Sequence, residues 1–336
     1  MDVKETFGCE KLHYRNKSQY PVTPGGIGFF APRSHRVIPV SDCLIQNEKS
    51  NRAAKVVGEY MELFHIKPYD ETTGRGTVRH IYTRVSQTGT VMVCIVTSSR
   101  GLKSSESLVS MLKNEFGDNL SVIQNINTKN TNVILGNETV TLYGEDTITD
   151  KIGDLYFEIS PHSFFQINPY QTKNLYDKVA ELCEFDGTEH VLDLFCGIGT
   201  IGLYVSKYAD KVTGVECVAP AIENAKRNAV LNGIKNADFF VGNSEDMAEK
   251  FPDSDVIIVD PPRKGCDEKL IHKIAEISPK KVAYVSCNPA TLARDLKLFN
   301  LLGYSSGEVY PFDMFPRTSH VESVILLQKA NSTGTV

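Results

Sequence analysis

The chain has 336 residues, 41% hydrophobic and 23% charged, ordinary globular values and enough length for two domains of about 100–200 residues each. Its opening, MDVKETFGCEKL, has no apolar core of the kind a secretory leader needs, and its longest apolar run, VMVCIV at 91–96, falls far short of the roughly 20 residues of a spanning helix, so a cytoplasmic protein without membrane association is expected. Eight cysteines without a CxxC pair argue against a disulfide framework or a cysteine-built zinc site, and no metal is expected.

The net charge of −5 is uneven. Residues 1–100 carry 14 Lys and Arg against 9 Asp and Glu, residues 101–160 carry 4 against 9, and residues 161–336 carry 18 against 23. A basic front on an acidic chain is compatible with nucleic acid. In that front half, TVRHIYTRVS (77–86) and TVMVCIVTS (90–98) are β-rich and flank QTG, which predicts a hairpin. LSVIQNIN, NVILG, TVTLYG and DLYFEIS read as further strands. Helices are expected near 51–65 and 104–116, the second capped by SSES. Residues 1–160 therefore read as an α+β domain with an antiparallel sheet.

From 168 the period changes. NPYQTKNLYDKVAELCEF predicts a helix with Asn168 at its cap and Pro169 in its first turn. Continuous apolar strands then alternate with amphipathic helices: EHVLDLF, TIGLYVSKYA, KVTGVE, APAIENAKRNAVLNG, ADFFVG, VIIVD, EKLIHKIAEI, KVAYVSC and ATLARDLKLFNLLG. That alternation predicts a Rossmann-like, doubly wound α/β domain over 161–336, closed by strands near 306–312 and 320–328.

Chemistry concentrates where these strands end. Gly197, Gly199 and Gly202 follow the first strand as G-x-G-x-x-G, a turn that lets backbone approach a ligand at a helix start. Glu216 lies 19 residues after Gly197, where an acid takes ribose hydroxyls. A nicotinamide dinucleotide and S-adenosyl-L-methionine both fit, and the glycines do not decide between them. Asp260 ends its strand ahead of Pro261 and Pro262, which hold the chain extended. Cys287 ends the next strand, and Asn-Pro delays the following helix. A thiol there faces the same crevice as Asp260, and a helix start would lower its pKa. Cys266, four residues beyond Pro262, is a second candidate thiol off the strand.

SFFQINPYQTKNLY, DLFCGIGTIGL, DPPRKGCD, SCNPATLARDL and MFPRTSHVESVILL together resemble the RNA 5-methyluridine methyltransferases, which act on 23S ribosomal or transfer RNA. The resemblance is carried by 154–328 and, more weakly, by YRNKSQYPV and RSHRVIPVSDCLIQ. It implies transfer of a methyl group from S-adenosyl-L-methionine to uracil carbon 5, with Cys287 as the nucleophile that adds to carbon 6 and Glu322 as the base that removes the carbon 5 proton. It also implies cofactor contacts from Gln166, Phe195, Glu216 and Asp260. Asn243 is a further candidate for the adenine edge, and Arg263, beside Asp260, is placed to face the RNA or the flipped base. 23S ribosomal RNA is the expected substrate and transfer RNA the alternative, with no protein partner implied. Arg15, Lys17, Arg33, Arg36, Arg79 and Arg84 could hold phosphates in an RNA-binding front domain, and Tyr20, Phe29 and Phe30 could stack on bases. Relatives often carry a TRAM β-barrel and a four-iron, four-sulfur cysteine cluster ahead of the matching region. Neither is expected here: the match starts where that region would already have ended, and Cys43 resembles the last cluster ligand without its three partners, so the sequence reads either as a short form or as one whose amino terminus is missing. Two other readings stay open: a nicotinamide-dependent oxidoreductase and a catalytically idle RNA-binding module.

Overall fold

The computed structural model describes residues 2–9 and 11–330. The chain divides into two compact units, one of Lys11–Lys151 with Glu158–His162, the other of Met1–Glu10, Ile152–Phe157 and Ser163–Val336.

The first unit is built on β1 (Lys17–Thr23), β2 (Gly26–Phe30), β3 (Val37–Pro39), β4 (Val78–Val85), β5 (Val91–Thr97), β6 (Leu120–Ile126) and β7 (Glu138–Tyr143). They form one sheet in the order β3-β2-β1-β4-β5-β6-β7. The sheet is mixed rather than antiparallel, because β5 and β6 run parallel. The helix Ser105–Phe116 lies between them in the chain and supplies the crossover that parallel strands require. With Glu48–Leu63 it makes α1 and α2, whose apolar faces bury Val57, Tyr60, Leu108 and Leu112 with Tyr20, Ile81 and Val93 of the sheet. Two local expectations fail. Ser104 precedes α2 in a left-handed backbone at φ 54° and makes no side-chain cap bond. NVILG forms no strand; the side-chain amides of Asn125 and Asn127 donate to the carbonyls of Gly136 and Val133, replacing ladder bonds with side-chain ones.

A short hairpin, β8 (Ile148–Ile152) and β9 (Leu155–Ile159), leads on to the second unit. There α3 (Pro169–Cys183) starts as expected, the Asn168 side chain accepting from the Tyr170 amide. The sheet comprises β10 (His190–Leu194), β11 (Lys211–Glu216), β12 (Ala237–Val241), β13 (Val256–Val259), β14 (Lys281–Ser286), β15 (Tyr304–Phe312) and β16 (Glu322–Lys329). Its order is β12-β11-β10-β13-β14-β16-β15. The first five are parallel, β16 is antiparallel to both neighbours, and the helices α4 (Thr200–Val205), α5 (Ala219–Leu231), α6 (Ser244–Met247), α7 (Glu268–Ile277) and α8 (Pro289–Leu301) connect them. This is the doubly wound architecture read from the alternating pattern. Strands such as β13 are buried along their whole length, which is why they lack polar alternation. Residues 2–9 belong to this unit: Val3 and Phe7 bridge in parallel to Val309 and Phe312, and the Phe7 and Phe312 rings stack at 4.6 Å. The strand order reverses between β10 and β13, the point where open α/β sheets form a ligand crevice. Among the described residues no helix is long and apolar enough to cross a membrane.

Candidate active site

The crevice begins in the turn after β10. Phe195, Gly197 and Gly199 all have left-handed backbone, at φ 67°, 56° and 83°. For Phe195 that conformation is costly, and such strain persists where surroundings enforce it, commonly at functional sites. The turn is pinned by the Cys196 amide donating to the Val215 carbonyl at 3.0 Å and the Gly199 amide to the Cys196 carbonyl at 2.8 Å. Gly202 is required by proximity, since a Cβ there would lie 2.9 Å from Asp193 Oδ2. Its amide instead donates to that oxygen at 2.8 Å.

A cavity opens over this turn, walled by Phe164, Asp193, Phe195, Cys196, Gly197, Ile198, Thr200, Ile201 and Asp260. Asp193 was not singled out from the sequence, although an acid inside the apolar strand VLDL is itself a signal. It is 1% exposed, and its Oδ1 is buried with no hydrogen-bond partner. Burial pushes its carboxyl up to about 8, with Asp260 and Glu216 adding to the rise. Phe195 and Asp260 thus reach the cavity. Glu216 ends β11 and uses Oε1 to accept from the Val218 amide at 2.9 Å and the Cys217 thiol at 3.1 Å, which steadies the start of α5. From the SFFQIN segment the cavity wall takes Phe164, while Gln166 is 5% exposed. Asn243 precedes α6 without a side-chain cap bond.

The reacting end is assembled by strand pairing. β13 and β14 are neighbours, which brings Asp260 and Cys287 to adjacent strand ends. The last β14–β16 pair is Ser286↔Ser323, so Cys287 and Glu322 are the next residues along that antiparallel ladder. Glu322 is 3% exposed and Cys287 half-buried. Burial pushes the Asp260 carboxyl up to about 7. Burial, then the Asp260 charge, drives Glu322 well above its ordinary value, opposed by Arg263. The thiol expectation is corrected here. Cys287 is raised rather than lowered, by burial first and then by Glu322 and Asp260, with Arg263 opposing. Burial with two carboxylates prevails over the helix start, whose first N–H groups are partly engaged because Asn288 Oδ1 accepts from the Ala290 amide at 3.0 Å. Cys266 is buried and its thiol is pushed up to about 12, also by burial, the profile of an unreactive core thiol.

In the first unit several expected RNA contacts prove structural. Arg79 is buried, donates to the Asn127 and Lys129 carbonyls at 2.8 and 2.6 Å and lies 4.6 Å over the Tyr69 ring. Tyr20 is a core residue bonded to Asn51 Oδ1 at 2.8 Å, and Phe29 packs on its ring at 5.2 Å. Arg84 is buried, and Arg15 and Lys17 are largely so. Phe30, 39% exposed, and Arg33 and Arg36, both exposed, share the β2–β3 connection.

A doubly wound sheet with a glycine turn, a buried acid at its first strand end and a thiol–carboxylate cluster two strands away defines a methyltransferase-type domain. The model for the tRNA (Uracil-5-)-methyltransferase family matches residues 103–330. An uncharacterized RNA methyltransferase of Clostridium tetani is 45% identical over 97% of this chain and 73% of its own length. One from Clostridium acetobutylicum is 46% identical over 98% and 74%. The crystal structure of Pyrococcus abyssi tRNA (uracil-54, C5)-methyltransferase in complex with S-adenosyl-L-homocysteine superposes with a TM-score of 0.84 at 31% identity, covering 97% of this chain and 78% of that one. The chain belongs to the RNA (uracil-5-)-methyltransferase family, and the nicotinamide oxidoreductase reading is set aside.

The buried acids carry a stability consequence. Asp193 holds its proton when folded until about pH 8, whereas the unfolded chain releases it near 3.8. The folded form therefore loses stability as pH rises between those values, by up to a few kcal/mol. Asp193→Asn removes that loss. In thermal melts of the ligand-free protein, the difference in melting temperature favouring the variant should widen from about pH 5 to about pH 8; a pH-independent difference would refute the assignment.

Proposed function

We propose that this protein methylates carbon 5 of a uridine in RNA, using S-adenosyl-L-methionine and a transient bond from Cys287 to carbon 6. The observation that carries this reading is the β14–β16 register, which sets Cys287 and Glu322 side by side, next to the strand that ends at Asp260.

The residues around the glycine turn fit the methyl donor. Asp193 Oδ1, buried and unpaired in the cavity wall, matches an ammonium group. Glu216 keeps one carboxylate oxygen beyond the amide it caps, and that oxygen would take ribose hydroxyls. Phe195 offers a ring face at the cavity for a purine, and Gln166 an amide for polar edges. When bound, the donor supplies an electrophilic methyl group on a positively charged sulfur, whose charge suits the nearby Asp260.

Uracil carbon 5 is a weak nucleophile. Bonding of the Cys287 sulfur to carbon 6 moves electron density to carbon 5 and its neighbouring carbonyl, so that carbon 5 can take the methyl group. Because the thiol is raised above its ordinary value, its proton needs an acceptor, and Asp260, a carboxyl of raised basicity, can take it and leave Glu322 as a carboxylate for the later step. After transfer, Glu322 takes the proton from carbon 5. The electrons of that C–H bond restore the ring double bond, and the sulfur leaves carbon 6. The target base has to leave its stack to reach the thiol.

We assign RNA contact in the first unit to Phe30, Arg33 and Arg36. The two candidate substrates are 23S ribosomal RNA, expected from the sequence motifs, and transfer RNA, the substrate for which the similar Pyrococcus abyssi enzyme is named. The reaction belongs in the cytoplasm, where thiols stay reduced.

Three outcomes test this reading. Cys287→Ala should abolish methyl transfer from labelled donor to RNA, and residual transfer at the wild-type rate would dismiss the mechanism; no transfer by the wild type to either RNA would favour the idle binding module. Glu322→Gln should slow turnover by about 10²–10⁴-fold and accumulate a denaturation-stable protein–RNA adduct on gels. Arg33→Ala with Arg36→Ala should weaken RNA binding evenly across sequences and flatten its salt dependence, by about one unit of slope per lost phosphate contact.

A further inference from the structure

The loop between β13 and α7 carries Asp260 and Arg263 yet has no regular structure of its own from 261 to 267. Its backbone is held by side chains from one face of α8 and that helix's cap. Asn288 Nδ2 and Thr291 Oγ1 donate to the Arg263 carbonyl at 3.1 and 3.3 Å. One turn on, Arg294 Nη2 donates to the Lys264 and Cys266 carbonyls at 2.9 and 3.1 Å. Asp295 completes the clamp. Its Oδ2 accepts from the Cys266 amide at 2.8 Å and the Tyr284 hydroxyl at 2.6 Å, and its Oδ1 from Arg294 Nε at 2.8 Å. The fit leaves no slack, since a Cβ on Gly265 (φ 77°) would come 2.5 Å from Asp295 Oδ2.

A carboxylate that is 1% exposed is costly to bury unless its oxygens are filled, and here they are filled by the groups that fix this loop. The same helix begins two residues after Cys287. Loop and thiol are thus mounted on one rigid element.

We propose that Asp295 is a positioning residue, which through Arg294 and the clamped 263–266 backbone holds the Arg263 guanidinium at Cys287. Arg263 opposes the rise of that thiol, which burial causes first and Glu322 from β16 and Asp260 from the end of β13 then add to. Arg263 likewise opposes the rise of Glu322. Its effect depends on a side chain that is exposed and so takes its direction from the backbone beneath it. The importance of the clamp for methylation rests on the reading of Cys287 as the nucleophile; the clamp itself can be read without RNA or methyl donor.

The test is the pH dependence of Cys287 alkylation by iodoacetamide in the full chain, followed on the Cys287 peptide by mass spectrometry. Asp295→Asn should move the midpoint upward by about one pH unit, as should Arg263→Gln, and the double variant should move it no further than Arg263→Gln alone. Loss of a carboxylate charge by itself would shift the midpoint down, so an upward shift reports a displaced Arg263. A folded Asp295→Asn protein with an unmoved or lowered midpoint, or additive shifts in the double variant, overturns the proposal. If Asp295→Asn does not fold, Arg294→Lys, which keeps the charge and gives up the forked carbonyl bonds of a half-exposed side chain, carries the same expectation and the same refutation. Wild-type protein that alkylates as expected but transfers no methyl group to RNA would refute the proposed function while leaving the clamp intact.

Discussion

The site depends on a reversal of chain direction. Five parallel strands end on the same side of the sheet, and each can offer the crevice only residues at its carboxyl end. β16 enters antiparallel to β14, so its first residue, and not its last, lies beside the end of β14. That is how two residues 35 apart in the chain, Cys287 and Glu322, meet with the short reach of a thiol and a carboxylate. A parallel last strand would deliver its start to the opposite edge of the sheet. The β15–β16 hairpin is therefore part of the chemistry as well as the closure of the fold.

Gathering strand ends also gathers like charges. Asp193, Asp260 and Glu322 are all pushed upward by burial, and each is raised further, or raises another, by charge. Such an arrangement opposes folding, and the unpaired Asp193 oxygen adds to the cost. It is the pattern expected where binding of a cation and movement of protons have been favoured over stability. Arg263, the counter-charge for Cys287 and Glu322, sits on a loop instead of a strand, and the α8 clamp compensates for that by fixing the loop's backbone.

Much of the second unit was legible because fully buried parallel strands and amphipathic helices leave separate signatures, so Asn168, the glycine turn and the neighbouring ends of β13 and β14 could be placed from the letters. The first unit was less legible. Its parallel β5–β6 pair follows from a crossover helix, yet single strands do not announce their direction, and β1, β2 and β3 are short or interrupted by Pro and Gly. Side-chain roles failed where burial decides them. Arg79 and Tyr20 look like RNA contacts in a basic stretch, but tertiary hydrogen bonds consume both. The thiol of Cys287 was misread for a related reason: a helix start is visible in Asn-Pro, whereas burial is not, nor are the two carboxylates that add to it from 27 residues before and 35 after. Asp193 was legible and overlooked, an acid in the middle of an apolar strand.

The strip of chain at residues 3–7 lies along β15, the edge strand of the second unit's sheet, bonding through the Lys4 and Phe7 amides to the Val309 and Pro311 carbonyls. An open flank of that kind would otherwise present bare donors and acceptors to any passing extended peptide. These few residues therefore act as a hem on the fabric: with them cut away, the flank would be free to recruit a second copy, and the expected damage is clumping of the protein well before any loss of its interior order.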